Sequence, residues 1–295
     1  MAASIKSNPT LENNSAGALK ALAVLSVLGF LGVVAVNGLA NALPLNGVNT
    51  GQLSDEIPNL FVPAGLTFSV WGVIYLLLAG YSAAVMREAF KQGRKSAWTV
   101  RDGILFAVNM AANALWIFAW HWRLVGVAMA IMLVILATLI ALEQASQAKL
   151  GPGGLLGDAA AKGGPGSSRS RMFFLTVPLR VYLGWISVAT IANATALLVT
   201  LGWGGFGLSE RFWTVLVIAA GLAVALGFSV WKRQVAAPLV VVWAYAGIVL
   251  KRLQAAAAGE SPESLVAGAA GLAAALILFS FAYGRVACPF RAKKV

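Results

Sequence analysis

Apolar runs separated by short polar segments recur along most of the chain. Each run is about 18–25 residues long, which is the length that an α-helix needs to cross a hydrocarbon core about 30 Å thick. A transmembrane β-barrel would show short alternating segments instead. The pattern predicts an all-α fold, a polytopic transmembrane helical bundle, with eight spans over about 21–40, 66–86, 103–120, 124–142, 173–201, 212–231, 234–250 and 265–284.

Two segments stand outside this pattern. A polar N-terminal tail covers 1–18, and a connection rich in Gly, Pro, Ser and Ala covers 143–170. The composition of the connection is typical of a flexible loop. Its GGPGSS sequence lacks the Gly-Lys-Ser/Thr ending of a phosphate-binding loop, so nucleotide binding is not indicated. The seventh span is the shortest and contains Pro238.

The composition also indicates membrane insertion. The chain is 60% hydrophobic and 11% charged, with a mean hydropathy of +0.82. A soluble domain of this length needs a larger charged exterior in contact with water. The net charge of +12 does not point to nucleic acid. The basic residues lie between the apolar runs, where membrane orientation and anionic headgroups favour them.

The placement of Lys and Arg predicts the orientation. With eight spans both termini share one side, and that side collects most of the 22 basic residues. The opposite side holds only Arg123, Arg211, Lys251 and Arg252. Because Lys and Arg accumulate in cytoplasmic loops, we expect both termini on the cytoplasmic-equivalent side. The sequence does not indicate which membrane this is.

Residues for conventional catalysis are scarce. The single cysteine, Cys288, excludes an intramolecular disulfide. The single histidine, His121, has no neighbouring Cys or His with which to build a transition-metal site. The sequence offers no paired-carboxylate, Ser-His-Asp or Cys-His arrangement. We therefore expect no metal centre and no conventional enzyme.

Polar side chains inside the spans are the first candidates for a site. Asn109 and Asn113 share a face of the third span with Trp116, and Thr190 and Asn193 lie on the fifth span. Hydrogen bonds between helices, worth about 0.6–2 kcal/mol each in lipid, explain Asn and Thr without a ligand. Residue types alone favour that structural interpretation over a binding site.

The ten tryptophans divide by position. Trp71 and Trp185 lie well inside their spans, which leaves either packing or a stacking platform for a ligand. Tyr75 shares a helix face with Trp71, and Pro63 is well placed to start that helix. Four tryptophans lie near span ends and fit an interfacial aromatic belt: Trp98, Trp122, Trp203 and Trp213.

Arg180 is an ionisable residue inside a predicted span, which by default suggests a function. The alternative is that Arg180 lies near the cytoplasmic end of a long fifth helix and snorkels to the headgroups. Arg171 lies a few turns earlier, and the predicted spans contain no Asp or Glu to pair with Arg180. We favour snorkelling, and the lack of an intramembrane acid weighs against an ion-coupled pump.

Three segments together resemble the TspO/MBR family, the tryptophan-rich sensory proteins that include the peripheral-type benzodiazepine receptor (translocator protein). They are VPAGLTFSVWGVIY at 62–75, NMAANALW at 109–116 and VYLGWISVATIAN at 181–193. The first lacks the family's leading tryptophan and first proline, and Val181 replaces a proline in the third. The resemblance covers 19–201, so 202–295 looks like a C-terminal membrane extension of about three helices on a TspO-like five-helix core.

The resemblance implies a pocket that faces the loop between helices one and two and binds porphyrins or similar hydrophobic molecules. By motif position, Trp71, Asn113, Trp185 and Ala189 would line this pocket. The resemblance also implies light-dependent porphyrin breakdown in some members, and a possible homodimer. We expect no built-in cofactor. The full set of ligand-binding candidates is Trp71, Tyr75, Asn109, Asn113, Trp116, Tyr182, Trp185, Ala189, Thr190 and Asn193.

Other readings of the same resemblance stay open. The family's sterol-recognition motif would fall at TALLVTLGWGG, which has no Tyr and no basic residue, so sterol binding there is not expected. One alternative function is a carrier for a small hydrophobic solute, with the last three helices completing its path. Another is a membrane scaffold that has a vestigial pocket and recruits partners through the Gly-rich connection.

Overall fold

The computed structural model describes residues 9–43, 45–91, 96–150, 169–261 and 263–286. Nine α-helices form the regular structure of these residues, and eight of them, all except the short α2, are long and apolar enough to cross a membrane. The all-α polytopic bundle is confirmed. The helices are α1 Pro9–Ala42, α2 Thr50–Asp55, α3 Val70–Phe90, α4 Val100–His121, α5 Val125–Leu150, α6 Arg169–Thr200, α7 Glu210–Leu226, α8 Ala236–Ala257 and α9 Ser264–Val286.

Several predicted boundaries were wrong. The fourth span continues to Leu150, because Glu, Gln, Ala and Lys are good helix formers, so Glu143 lies inside α5 and not in a loop. The rest of the Gly-rich connection, 151–168, lies outside the described residues. Pro238 falls in the first turn of α8, where a missing N–H costs no helical bond. Pro63 precedes a 3₁₀ turn, Gly65–Ser69, and does not itself start α3.

Helix α6 occupies the middle of the bundle. It packs against α3 and α5 of the first five spans and against α8 of the last three, while α9 packs on α7 and α8. The contact between α6 and α8 is close, since a Cβ added at Gly184 would lie 2.5 Å from the carbonyl oxygen of Ala237. Large side chains such as Leu28, Leu76 and Leu272 point outward. That arrangement suits a protein whose solvent is lipid.

Ion pairs define two ends of the bundle. At the loop end, Arg123 binds Glu56 and Lys251 binds Asp55, which joins the connection between α1 and α3 to the turn after α4 and to α8 itself. At the opposite end, Arg171 binds Glu88, so that α6 is tied to α3. Lys149 and Asp102 pair at the same end. That this second end faces the cytoplasm stays a prediction from charge.

Trp98 does not belong to an interfacial belt. Its side chain is buried, and its indole N–H donates to the Tyr81 hydroxyl at 3.2 Å. The interpretation failed because a helix-end position does not reveal whether a neighbouring helix covers the side chain. Trp122 is exposed, and Trp203 and Trp213 are half-buried against each other. A belt role for these three stays a prediction.

Candidate functional site

A small cavity lies near the loop end of the bundle, among α3, α4, α5 and α6. Its volume is about 50 Å³. Three tryptophans from three helices line it, Trp71 of α3, Trp116 of α4 and Trp185 of α6, and we call it the tryptophan cavity. The connection between α1 and α3 also lines it through Thr50 and Asn59. The cavity therefore faces the same connection that the resemblance implied.

One wall of the tryptophan cavity is built from interlocked aromatic rings. The ring of Trp71 stacks on Tyr75 with centroids 5.4 Å apart, as expected for two residues on one helix face. Trp71 and Trp185 meet edge-on with ring centroids 6.2 Å apart, and Phe68 and Trp185 meet edge-on with centroids 5.8 Å apart. Such edge-on and stacked contacts fix the ring orientations, so this wall presents indole surface in a defined direction.

The facing wall is anchored by hydrogen bonds from indole N–H groups. Trp116 stacks on Trp120 with centroids 5.5 Å apart, and its Nε1 donates to Asn193 Oδ1 at 3.1 Å. Trp120 Nε1 lies 3.5 Å from the Thr50 carbonyl, at the long end of hydrogen-bond range. These contacts join α4 to α6 and to the connection between α1 and α3. Because these indole N–H groups already donate hydrogen bonds, mainly apolar ring faces are left toward the cavity.

A polar chain runs behind the aromatic wall. Asn37 Nδ2 donates to Asn113 Oδ1 at 3.2 Å, and Asn113 Nδ2 donates to the Tyr182 hydroxyl at 2.7 Å. The Tyr182 ring lies 5.9 Å from Trp71. Asn113 therefore binds α1 and α6 together and supports the wall without lining the cavity.

The ten predicted ligand-binding residues fall into two groups. Half of them line the tryptophan cavity: Trp71, Trp116, Trp185, Ala189 and Asn193. The other half do not line it: Tyr75, Asn109, Asn113, Tyr182 and Thr190. Several of the second group make helix–helix or helix-internal bonds, as the structural interpretation of Asn and Thr expected. A ligand-binding role stays a prediction for all ten.

Two of the polar members that do not line the cavity donate hydrogen bonds within the bundle. Asn109 donates to the Ile135 carbonyl and to Thr138 on α5. Thr190 donates to the Ile186 carbonyl of its own helix. Both side chains thus donate to partners inside the protein, while the buried Oδ1 of Asn109 has no partner among the described residues.

The connection over 45–64, with the 3₁₀ turn that follows it, forms a roof over the cavity. Its short α2 begins with a capping box between Asn49 and Gln52. Beyond α2, the Ala64 N–H donates to the Gly247 carbonyl at 3.0 Å. The Thr67 carbonyl accepts from Trp243 Nε1 at 2.9 Å. The roof is thus held by α8, a contact that no sequence periodicity indicates because roof and helix are far apart in the chain.

Arg180 does not snorkel. Its side chain and that of Glu143 are each 2% exposed, and Arg180 Nε lies 3.4 Å from Glu143 Oε1. Lys232 Nζ binds the other carboxylate oxygen at 3.1 Å, and Gln234 Nε2 donates to Oε1 at 2.5 Å. The interpretation failed because it placed Glu143 in a loop. Because Glu143 was assigned to a loop, it was not recognised as the partner of Arg180.

Replacing Asn113 by alanine should destabilise the bundle by about 1–2 kcal/mol, because two buried hydrogen bonds between helices are lost. Thr190→Ala is the matched control, since it removes only a bond within one helix and should change stability by less than about 0.5 kcal/mol. The measurement is unfolding in detergent micelles, followed by circular dichroism. Equal effects of the two changes would contradict the linking role of Asn113.

Comparison with known proteins places the chain in a family. A family model described as TSPO-like protein matches residues 23–283, which is most of the chain. The match continues through α7, α8 and α9, although the sequence resemblance was noted only for 19–201. The division of the chain into core and extension stays a prediction. Searches of curated proteins and of solved structures found no match.

Proposed function

This chain belongs to the TSPO-like family, and we propose that this integral membrane protein binds a flat hydrophobic molecule of the porphyrin type in its tryptophan cavity. The observation that carries the proposal is the convergence of three indole rings from three different helices on one cavity. Sensing, transport or light-dependent degradation of the ligand would follow from such binding. The charge pattern further suggests that both termini face the cytoplasm.

The side chains around the cavity suit a flat apolar ligand. Indole faces stack on aromatic macrocycles, and each well-formed aromatic contact contributes about 0.5–1.5 kcal/mol beyond area burial. Along α6, Ala189, Ala192 and Ala196 line the cavity with small side chains that leave room beside Trp185. Asn193 adds one amide for orientation. This combination of apolar lining and few polar groups is typical of small-molecule sites.

The cavity must open to hold a tetrapyrrole. Its volume of about 50 Å³ is far below the roughly 300–1,000 Å³ of typical small-molecule sites. We infer that binding moves the roof or rotates Trp71 and Trp185 apart. A protein that is mostly closed binds with an apparent affinity reduced by its open fraction. Loosening the roof should therefore tighten apparent binding.

Any chemistry at this site would be that of the pigment. Among the described residues, no group of three or more Cys, His, Asp and Glu could hold a metal ion. The cavity lining contains no Asp, Glu, His or Lys to serve as a general acid or base. Light-driven breakdown of a bound porphyrin would use Trp71 and Trp185 as the adjacent aromatic side chains.

Protoporphyrin IX titration of the purified protein in detergent, followed by tryptophan quenching, tests this proposal. Trp71→Phe and Trp185→Phe should each weaken binding about 2- to 10-fold, the equivalent of a lost stacking contact. Trp231→Phe is the matched control, because Trp231 is 86% exposed, and it should leave affinity unchanged. Binding that does not saturate, or that ignores Trp71 and Trp185, would overturn the proposal. Illumination of the same samples tests for pigment loss.

A carrier is the second candidate, and the buried Arg180–Glu143 pair is the observation that favours it. Ionisable groups inside a membrane protein often mark a transport path. Arg180→Gln separates the two candidates in proteoliposomes. A carrier should lose solute flux, whereas a binding protein should retain ligand affinity within a few-fold. Together with Lys232 and Gln234, the pair also joins three parts of the fold and so has a structural role, and the binding function remains our first proposal.

A further inference from the structure

Two larger cavities lie beside the tryptophan cavity at the loop end. One, of about 300 Å³, lies between the end of α6 and the start of α7 and is lined by Trp203 and Trp213; we call it the lateral cavity. The other, of about 260 Å³, is lined by Lys251 and Arg252 of α8; we call it the basic cavity. Asn59 and Glu210 line both, so the two cavities are neighbours.

The lateral cavity has a fixed aromatic surface. The rings of Trp203 and Trp213 meet with centroids 4.8 Å apart at an angle of 61°. Trp213 Nε1 donates to the Gly205 carbonyl at 2.9 Å, and Gly205 adopts a left-handed backbone with φ +60° that glycine permits without strain. The volume reaches the lower bound of ordinary small-molecule sites, about 300 Å³. This cavity needs no opening to receive a ligand.

Arg252 is the unusual group of the basic cavity. The residue is 9% exposed, and its buried Nε has no hydrogen-bond partner among the described residues. A buried donor without a partner costs free energy that a hydrogen bond to a bound anion would repay. Arg252 is thus a cation that lines a cavity and still has a buried donor to offer.

The acidic groups around Arg252 are engaged elsewhere. Asp55 Oδ1 binds Lys251 at 2.8 Å, and Glu210 Oε1 accepts from the Leu60 N–H at 2.9 Å. Both oxygens of Glu263 accept from Arg211, at 2.5 and 2.9 Å. Hydrogen bonds from Arg211 are the largest cause of the lowered pKa of Glu263, and the charge of Arg252 adds a smaller effect.

We propose that the lateral and basic cavities together form a second ligand site, for an amphiphile that carries one carboxylate on a flat apolar body. The carboxylate binds Arg252, and the apolar body lies against Trp203 and Trp213. The site adjoins the tryptophan cavity, since Asn59 lines all three cavities, but it uses a different position of α6: Thr195 lines the lateral cavity, and Ala196 lines the tryptophan cavity.

Charge and geometry select this ligand class. An arginine fork matches a carboxylate with two parallel hydrogen bonds. Asp55 and Glu210 line the same cavity, and their charges disfavour a doubly charged phosphate more than a singly charged carboxylate. A cationic amphiphile would be repelled by the positive charges of Arg252 and Lys251. An aromatic body gains stacking energy from the indole rings that a purely aliphatic chain does not.

Two probes of matched shape test the second site: 9-anthracenecarboxylate, which is anionic, and 9-anthracenemethanol, which is neutral. Each is titrated into the full-length protein in detergent, and energy transfer from tryptophan to anthracene reports binding. The wild-type protein should bind the carboxylate at least about 10-fold more tightly, as expected for a charge-assisted hydrogen bond. Equal affinity for the two probes would overturn the proposal without the use of any variant.

Variants assign the preference to Arg252. Arg252→Gln should abolish the difference between the probes, and Arg252→Lys, which keeps the charge but loses the fork, should retain part of it. Arg123→Gln is the matched control, since it removes an exposed arginine at the same end, and the preference should survive. An unchanged preference in Arg252→Gln, with thermal melting showing a folded protein, would refute the assignment.

The experiments distinguish a failure of the second-site proposal from a failure of the proposed function of the tryptophan cavity. Trp71→Phe and Trp185→Phe should leave the preference for the anthracene carboxylate over the neutral probe in place, while Trp203→Leu should weaken binding of both probes. Protoporphyrin IX itself carries carboxylates, so its titration is repeated in Arg252→Gln. Porphyrin binding that remains in that variant and depends on Trp71 belongs to the tryptophan cavity. Porphyrin binding lost in that variant belongs to the second site.

Discussion

Replacing Glu143 by methionine is expected to lower the free energy of unfolding by about 3–5 kcal/mol, the cost of removing one member of a buried ion pair. The change takes away the carboxylate that lies between Arg180, Lys232 and Gln234. The positive charges of Arg180 and Lys232 then remain close together with no acid between them. Lys232 is partly exposed and can turn to water, but Arg180 is buried and cannot.

The double variant Glu143→Met/Arg180→Met should recover part of this loss. A buried ion pair replaced by apolar side chains of similar volume is often neutral or even stabilising, because the desolvation cost disappears with the charges. Gln234 loses its acceptor in both variants, so recovery should be incomplete. We therefore expect the double variant to be more stable than Glu143→Met alone.

Unfolding in mixed detergent micelles, followed by circular dichroism, measures both effects. Glu56→Gln is the control, since its pair with Arg123 is exposed and should contribute at most about 1 kcal/mol. A loss in Glu143→Met no larger than that of Glu56→Gln would show that the buried cluster does not stabilise the bundle. A double variant less stable than Glu143→Met would show that Arg180 has its main partners elsewhere.

The same cluster shows where sequence reasoning reaches its limit. Runs of apolar residues predicted all eight spans, because lipid demands a nearly continuous apolar helix whatever the neighbouring helices are. Glu143 was missed because a single acid at the end of an apolar run looks like the start of a loop. Only the positions of Arg180 and Lys232 in three dimensions show that its charge is compensated inside the bundle.

The residues of the candidate site also divide into those that the sequence could predict and those that it could not. Trp71 and Trp185 could be chosen from sequence, because indoles in the middle of a span have no interfacial role. Asn113 matched a family motif, yet it supports the wall from behind, and a motif alone does not tell which way a side chain points. Thr50, which begins the short α2, and Asn59 line the cavity from the connection between α1 and α3. No periodicity marks residues in such segments, so only the fold reveals them.

Gly184→Ala should destabilise the protein by about 1–3 kcal/mol, the usual cost of overpacking. The new Cβ would lie 2.5 Å from the Ala237 carbonyl oxygen and 2.9 Å from its Cα. These are backbone atoms that cannot rotate away, so α6 and α8 must separate. The higher helix propensity of alanine offsets up to about 1 kcal/mol of this overpacking cost. Gly184→Val adds further bulk and should cost more.

Gly32→Ala isolates the propensity gain, because nothing lies within 4 Å of a Cβ at that position, and it should be neutral or slightly stabilising. A Gly184→Ala protein as stable as Gly32→Ala would refute the close contact between α6 and α8.

The contact also bears on function, since α8 holds the roof through Gly247 and Trp243. Moving α8 away from α6 should loosen the roof, so stopped-flow mixing of Gly184→Ala with protoporphyrin IX should show faster association than wild type. If association is unchanged while stability falls, the position of α8 does not limit entry of the ligand, and the last three helices stabilise the bundle without controlling access to the tryptophan cavity.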